Sequence, residues 1–337
     1  MSVPNPMALP APSALLLALL GFSFVVHMVF LGLLVAALWA RVGAEWGTRD
    51  TYQIESLHRA GVLAFSTTIT AGVAPLLFVQ VLYGKYFYSS SITIGYPWLA
   101  IVGYLLIGFY SLYLWRWRWE KADGPSASGK AFVLLTIVTL IAIAFTYAWN
   151  HLQSLSPAPW TYAVPHPQVA KRLIGYAGGT AIASGAWALW LGHSWRSDRK
   201  TPREASIALI LGCLLLLVWA SLSQFAASAW GAAAWGMLLA AAALAFIAGI
   251  AGFLNRIGLA RWPASLAALA GLSGLMIQRE SYRLLILSGD YNPSDQAVRA
   301  QWSPFAMFAV VLLLGIATLV WLLRIVRAAQ RSTTTPL

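Results

Sequence analysis

The feature that most constrains this chain is the recurrence of long apolar runs joined by short polar connections. Runs able to cross roughly 30 Å of hydrocarbon fall at 13–40, 59–83, 93–116, 130–150, 171–193, 205–226, 229–253, 262–285 and 304–326. Inside a bilayer every backbone N–H and C=O must find a partner within the protein, so runs of this length are expected to be helices. The expectation is an all-α, polytopic integral membrane bundle of about nine transmembrane helices. Composition agrees, with 60% hydrophobic residues, 9% charged residues and 17 Trp, which is far from the make-up of a water-soluble domain. Lipid is the main solvent for such a chain.

The first run is too long for the core of a cleaved secretory signal, and no Lys or Arg precedes it. It reads as a permanent first helix. Residues 1–331 form a single transmembrane domain on this reading, and 332–337 a disordered tail.

The net charge of +12 does not form a patch for nucleic acid. Basic residues gather in alternate connections: Arg41, Arg49 and Arg59; Arg116, Arg118, Lys121 and Lys130; Arg196, Arg199, Lys200 and Arg203; Arg256 and Arg261; and Arg324, Arg327 and Arg331 at the end. The intervening connections hold Lys85 and little else. Cationic loops stay on the cytoplasmic side, so an odd number of spans puts the amino terminus in the periplasm and the carboxy terminus in the cytoplasm. Trp149, Trp160, Tyr162, Trp230, Trp235 and Trp302 fall at one expected interface and Trp115, Trp117, Trp119 and Trp195 at the other, as an aromatic belt requires. Gly175, Gly178, Gly179, Gly185, Gly271 and Gly274 read as positions of close helix packing. Cys213 is the lone cysteine, so the chain carries no internal disulfide, thiolate zinc cluster or covalent haem attachment.

Among five histidines only His27 sits mid-span. An ionisable group there is costly and is expected to face the protein interior with a partner. It reads either as an axial haem ligand, because neutral imidazole suits iron, or as a histidine hydrogen-bonded between helices. His58 and His193, beside charged loops, read as interfacial. His151 and His166 flank the connection between spans four and five, where they could meet a partner or a quinone head group.

The run Gln278-Arg279-Glu280-Ser281-Tyr282-Arg283 sets charges into the end of an apolar helix. Guanidinium groups there could neutralise haem propionates, or the run could be an anchor with an internal Arg–Glu pair. Lys85 and Tyr86, expected just beyond span two, lie at the same level. No phosphate-binding glycine loop, nucleophile elbow or HExxH is present, which leaves hydrolase, kinase and membrane-protease readings unsupported.

Taken together, these residues resemble subunit I of cytochrome bd-type quinol oxidases, a family with nine helices and the same orientation. His27 stands where that family's first helix carries a haem-ligating histidine. Gly72-Val73-Ala74 with Tyr83-Gly84 is similar to its GVA…FG segment, with Gln80 in place of a glutamate. Gly95-Tyr96-Pro97 with Ala100-Ile101-Val102-Gly103 resembles GAP…AIEG, and the stretch from Arg279 to Tyr282 is similar to GRQPW. The match covers the first third of the chain and the region near 275–285.

The departures are specific. Val102 and Tyr110 replace two family glutamates, Gly175 lies where a second haem's histidine is expected, and Met276 stands near the position of another carboxylate ligand. The long quinol-binding loop after span six is missing. The resemblance therefore implies fewer than three haems and not an ordinary oxygen reductase. The candidate cofactor-binding set is His27, Arg279, Glu280, Met276, Lys85 and Gln80, with His27 on the iron of a b-type haem and a quinone as the other expected cofactor.

The implied role is an integral-membrane subunit of a respiratory electron-transfer complex in a bacterial inner membrane, relaying electrons between quinol and a cytochrome partner. Two other readings stay open. One is a haem-free scaffold anchoring a catalytic or cytochrome partner. The other is a transporter, against which the small number of intramembrane charges and the lack of a matched pair of broken helices speak.

Overall fold

The computed structural model describes residues 8–47, 54–122, 124–155, 168–194, 200–223 and 228–303, with scattered positions between 306 and 324. Among them run eight long helices: α1 (Ser13–Glu45), α2 (Ile54–Ile94), α3 (Tyr96–Ala122), α4 (Ala127–Gln153), α5 (Val169–Ser194), α6 (Lys200–Leu222), α7 (Ala229–Phe253) and α8 (Ile257–Leu287). Of the ninth expected span only scattered residues are described, each of them helical and exposed. The 332–337 tail lies outside the described residues.

The helix ends follow local chemistry. Ser126 and Ser228 cap α4 and α7 by accepting from the amides of Gly129 and Gly231. The α2–α3 corner is made by Gly95 at φ 62° and the α7–α8 corner by Asn255 at φ 56°, left-handed conformations that favour those two residue types.

Successive helices pack as hairpins, α1 on α2, α3 on α4, α5 on α6 and α7 on α8, and α1, α5 and α8 meet in the middle. Small residues make these contacts possible. A Cβ on Gly32 of α1 would lie 2.5 Å from the Cβ of Ala183 on α5, and one on Gly212 of α6 would lie 2.8 Å from the carbonyl oxygen of Gly178. The backbones therefore touch, as membrane helices do when packing rather than water drives association. The packing role read for Gly178 and Gly185 is the one observed.

Among the described residues six helices carry an apolar stretch sufficient to cross a membrane, and α5 and α8 are not among them. These two are central, so neighbouring helices rather than lipid cover much of their surface. The outer faces carry exposed Leu99, Leu106, Leu239, Phe246 and Leu266, an apolar coat suited to acyl chains. The chain is a multi-pass membrane protein with an all-α fold.

One boundary differs from expectation. Span two was expected to stop at 83, but helix continues to Ile94 past a kink at Tyr83 (φ −131°, ψ 31°). Ser89, Ser91 and Thr93 each donate their hydroxyl to the carbonyl four residues back, so a polar run that reads as a loop stays helical. Lys85 and Tyr86 accordingly belong to a helix, not a connection.

Candidate functional site

His27 sits at the middle of α1 and lines a cavity of about 860 Å³ bounded by α1 to α6. Its Nδ1 lies 2.9 Å from the carbonyl oxygen of Thr68 on α2. A carbonyl only accepts, so Nδ1 carries the proton and, in the neutral ring, Nε2 carries the lone pair. The approach depends on Gly72, where a Cβ would stand 2.9 Å from both Nδ1 and Cε1 of the imidazole. The cavity lining is largely apolar, from Phe24, Met28, Leu31, Phe65, Leu76 and Leu105, with Thr68, Tyr147, Tyr176, Thr180, Ser184 and Glu204 as polar exceptions beside His27.

One turn of α1 away, Phe24 meets the guanidinium of Arg279, 4.4 Å from its ring centroid. Arg279 opens a second, densely connected cluster at the C-terminal end of α8. Its Nε donates to Oε1 of Glu280 at 3.0 Å, its Nη1 to the Tyr147 hydroxyl at 3.3 Å and its Nη2 to the Met276 sulfur at 3.1 Å. Arg283 donates through Nη1 to Oε2 of the same carboxylate at 2.9 Å and through Nη2 to Nδ1 of His151 at 2.8 Å. Arg172, from the first turn of α5, donates to Oε1 of Gln278 at 3.0 Å and lies over the Tyr282 ring. Glu280 thus bridges two guanidinium groups that are 1% and 2% exposed. Removing one member of such a buried set costs about 3–5 kcal/mol, because the remaining charge is left without compensation.

The structure brings Arg279, Glu280 and Met276 together and sets them beside the His27 cavity through Phe24 and Tyr147. It does not join Gln80 or Lys85 to them. Gln80 accepts from the Tyr88 hydroxyl in an exposed pair, and Lys85 lies over the Tyr86 ring. Met276 packs near Gly21 with its sulfur given to Arg279, outside the cavity lining. The point on α5 marked by Gly175 is occupied, since a Cβ there would lie 2.9 Å from the indole of Trp219. Val102 lines the cavity, and Tyr110 is exposed on α3. His58 and His193 lie on α2 and α5 with side chains outside the described residues, and His166 lies outside them altogether.

Three members of the cluster were not anticipated. His151, read as a loop residue open to a partner, is 4% exposed and locked to Arg283. Arg172 and Tyr147 gave no separate signal, since a basic residue at a helix start and an aromatic near a helix end both read as interface anchors. Among the described residues no three His, Cys, Asp or Glu side chains converge as a chelating set. The cavity therefore offers a metal one imidazole.

Fold and site together define a polytopic helical membrane protein with a mid-membrane imidazole on a large apolar cavity and a cationic cluster at one end of it. No protein-family model matches the chain, and no curated protein does. Among solved structures it is similar to bd oxidase from Geobacillus thermodenitrificans, with a TM-score of 0.68 and 15% identity over 96% of this chain and 100% of that one. The expected likeness to bd-type oxidases is borne out at the level of the fold.

Proposed function

We propose that this chain is a subunit of a respiratory electron-transfer complex in a bacterial inner membrane, holding one b-type haem on His27 and relaying electrons between a quinol and a cytochrome partner. Its amino terminus faces the periplasm on this reading and its carboxy terminus the cytoplasm, as the alternation of basic loops requires.

The observation that carries the proposal is the fixed tautomer of His27 beside the cavity. Metal-ligating histidines commonly give their other ring N–H to a carbonyl, which orients the ring and raises its basicity, and Thr68 supplies that carbonyl. Gly72 leaves the ring its room, and the apolar walls suit a large flat macrocycle while keeping water from it. Arg279, through Tyr147 at the cavity's end, sets positive potential where acidic substituents would come to rest. A haem held there would supply reversible one-electron transfer. The loss of the other family ligands, with Trp219 filling the place beside Gly175, accounts for one haem rather than three.

Pyridine haemochrome analysis of protein purified from haem-replete membranes tests this reading. The expected result is about one b-type haem per chain. Colourless protein that still copurifies with a cytochrome would overturn it in favour of the scaffold.

A further inference from the structure

The cluster at the end of α8 is nearly complete in its hydrogen bonds but not in its charge. Arg172, Arg279 and Arg283 are 7%, 1% and 2% exposed; Glu280 is the carboxylate that Arg279 and Arg283 share, and Arg172 is held by the neutral amide of Gln278. Arginine stays protonated in proteins, so three positive charges against one negative leave an excess of two in a largely buried group. The other partners of these guanidinium groups, Tyr147, Met276, Gln278 and His151, accept hydrogen bonds without adding charge.

Among the described residues the ion pairs of these arginines all run to Glu280. Asp290 and Asp295 are exposed and form no ion pair with the cluster. Glu45 is committed at the far end of the bundle to the Trp115 indole and the Ser126 amide. The connection between α4 and α5 contains neither Asp nor Glu.

A second observation points the same way. Because Nδ1 of His151 accepts from Arg283, its Nε2 carries the proton, and that buried N–H has no acceptor. The indole N–H of Trp149, 8% exposed on the same turn of α4, is also without one. Two buried donors lacking acceptors, beside a cationic excess, call for an oxyanion. The first turn of α5, which carries Arg172, adds the positive end of a helix dipole.

We propose that this cluster binds an oxyanion carried on a membrane amphiphile, with Arg172, His151 and Trp149 as the donors that meet it. The phosphate of an anionic phospholipid has this chemistry, and so do the carboxylates of a haem in the neighbouring cavity. The inference stands on charge and unpaired donors, and it holds whether or not the chain binds haem.

The test uses the full chain in nanodiscs of phosphatidylcholine with and without phosphatidylglycerol, read by native mass spectrometry and thermal midpoint. Wild type is expected to retain phosphatidylglycerol over phosphatidylcholine and to melt higher with it. Arg172→Gln and Trp149→Phe are each expected to weaken retention by about tenfold, as loss of a charge-assisted hydrogen bond does. Trp149→Phe preserves the ring and serves if Arg172→Gln does not accumulate.

Running the same measurement on haem-free and haem-loaded protein separates the two sources. Retention in both identifies the lipid phosphate, and retention lost on loading identifies the haem carboxylates. Equal binding of the two lipids by haem-free wild type, or retention unchanged in both variants, overturns the proposal.

Discussion

The two polar regions of this bundle handle burial in opposite ways. Midway along α1 a single imidazole donates to a single carbonyl, and beyond it opens a cavity of about 860 Å³. At the end of α8 three guanidinium groups, a carboxylate, an imidazole and a phenol interlock with hardly a hydrogen bond unmade. The first region has spare space and a spare lone pair, which is what a ligand site needs. The second is bonded largely to itself, and what it keeps over is positive charge and, at Nε2 of His151, a donor without an acceptor. Polarity within a membrane protein therefore marks a binding site only where something remains unsatisfied.

The contrast is broken most forcefully at Glu280. Glu280→Gln strips the cluster of its carboxylate and is expected to cost about 3–5 kcal/mol, read by denaturation in detergent. A loss under about 1 kcal/mol, the worth of an exposed pair, would show the network to be decorative. Next come the glycines. Gly32→Ala forces α1 away from the α5 backbone and is expected to cost about 1–3 kcal/mol. Gly72→Ala presses instead on the His27 ring, so its effect is expected on the haem spectrum more than on stability. The reverse ranking of the two would sever Gly72 from the site.

Smaller still is Met276→Leu, which removes a weak sulfur acceptor and keeps volume, at under about 1.5 kcal/mol. Gln80→Ala and Lys85→Ala are expected to stay within about 0.5 kcal/mol of wild type, with haem content unchanged. A spectral change in either would return α2's exposed face to the site.

Much of the fold was legible because lipid imposes a one-dimensional rule. Apolar runs become helices, and the expected span 229–253 coincides with α7 (Ala229–Phe253). Where the rule failed, at the second half of α2, hydroxyls satisfied by the helix's own backbone hid a helical stretch behind a polar sequence. Half of the site was legible for the same reason. His27 and the Arg279–Glu280–Arg283 run stand out because charge in an apolar run is costly. Arg172, Tyr147 and His151 could not be read, since each lies at a helix end where polarity is ordinary. Their meaning comes from contacts more than 100 residues apart in the chain. Met276 misled because its position along α8 was clear while the direction of its sulfur was not.

The central claim is that Nε2 of His27 holds the iron of a haem. Reduced-minus-oxidised absorption spectra of wild type, His27→Ala and His27→Gly with added imidazole test it most directly. The account predicts a b-type spectrum in wild type, its loss in His27→Ala and its partial return when imidazole fills the space left in His27→Gly. A wild-type spectrum preserved unchanged in His27→Ala would contradict it.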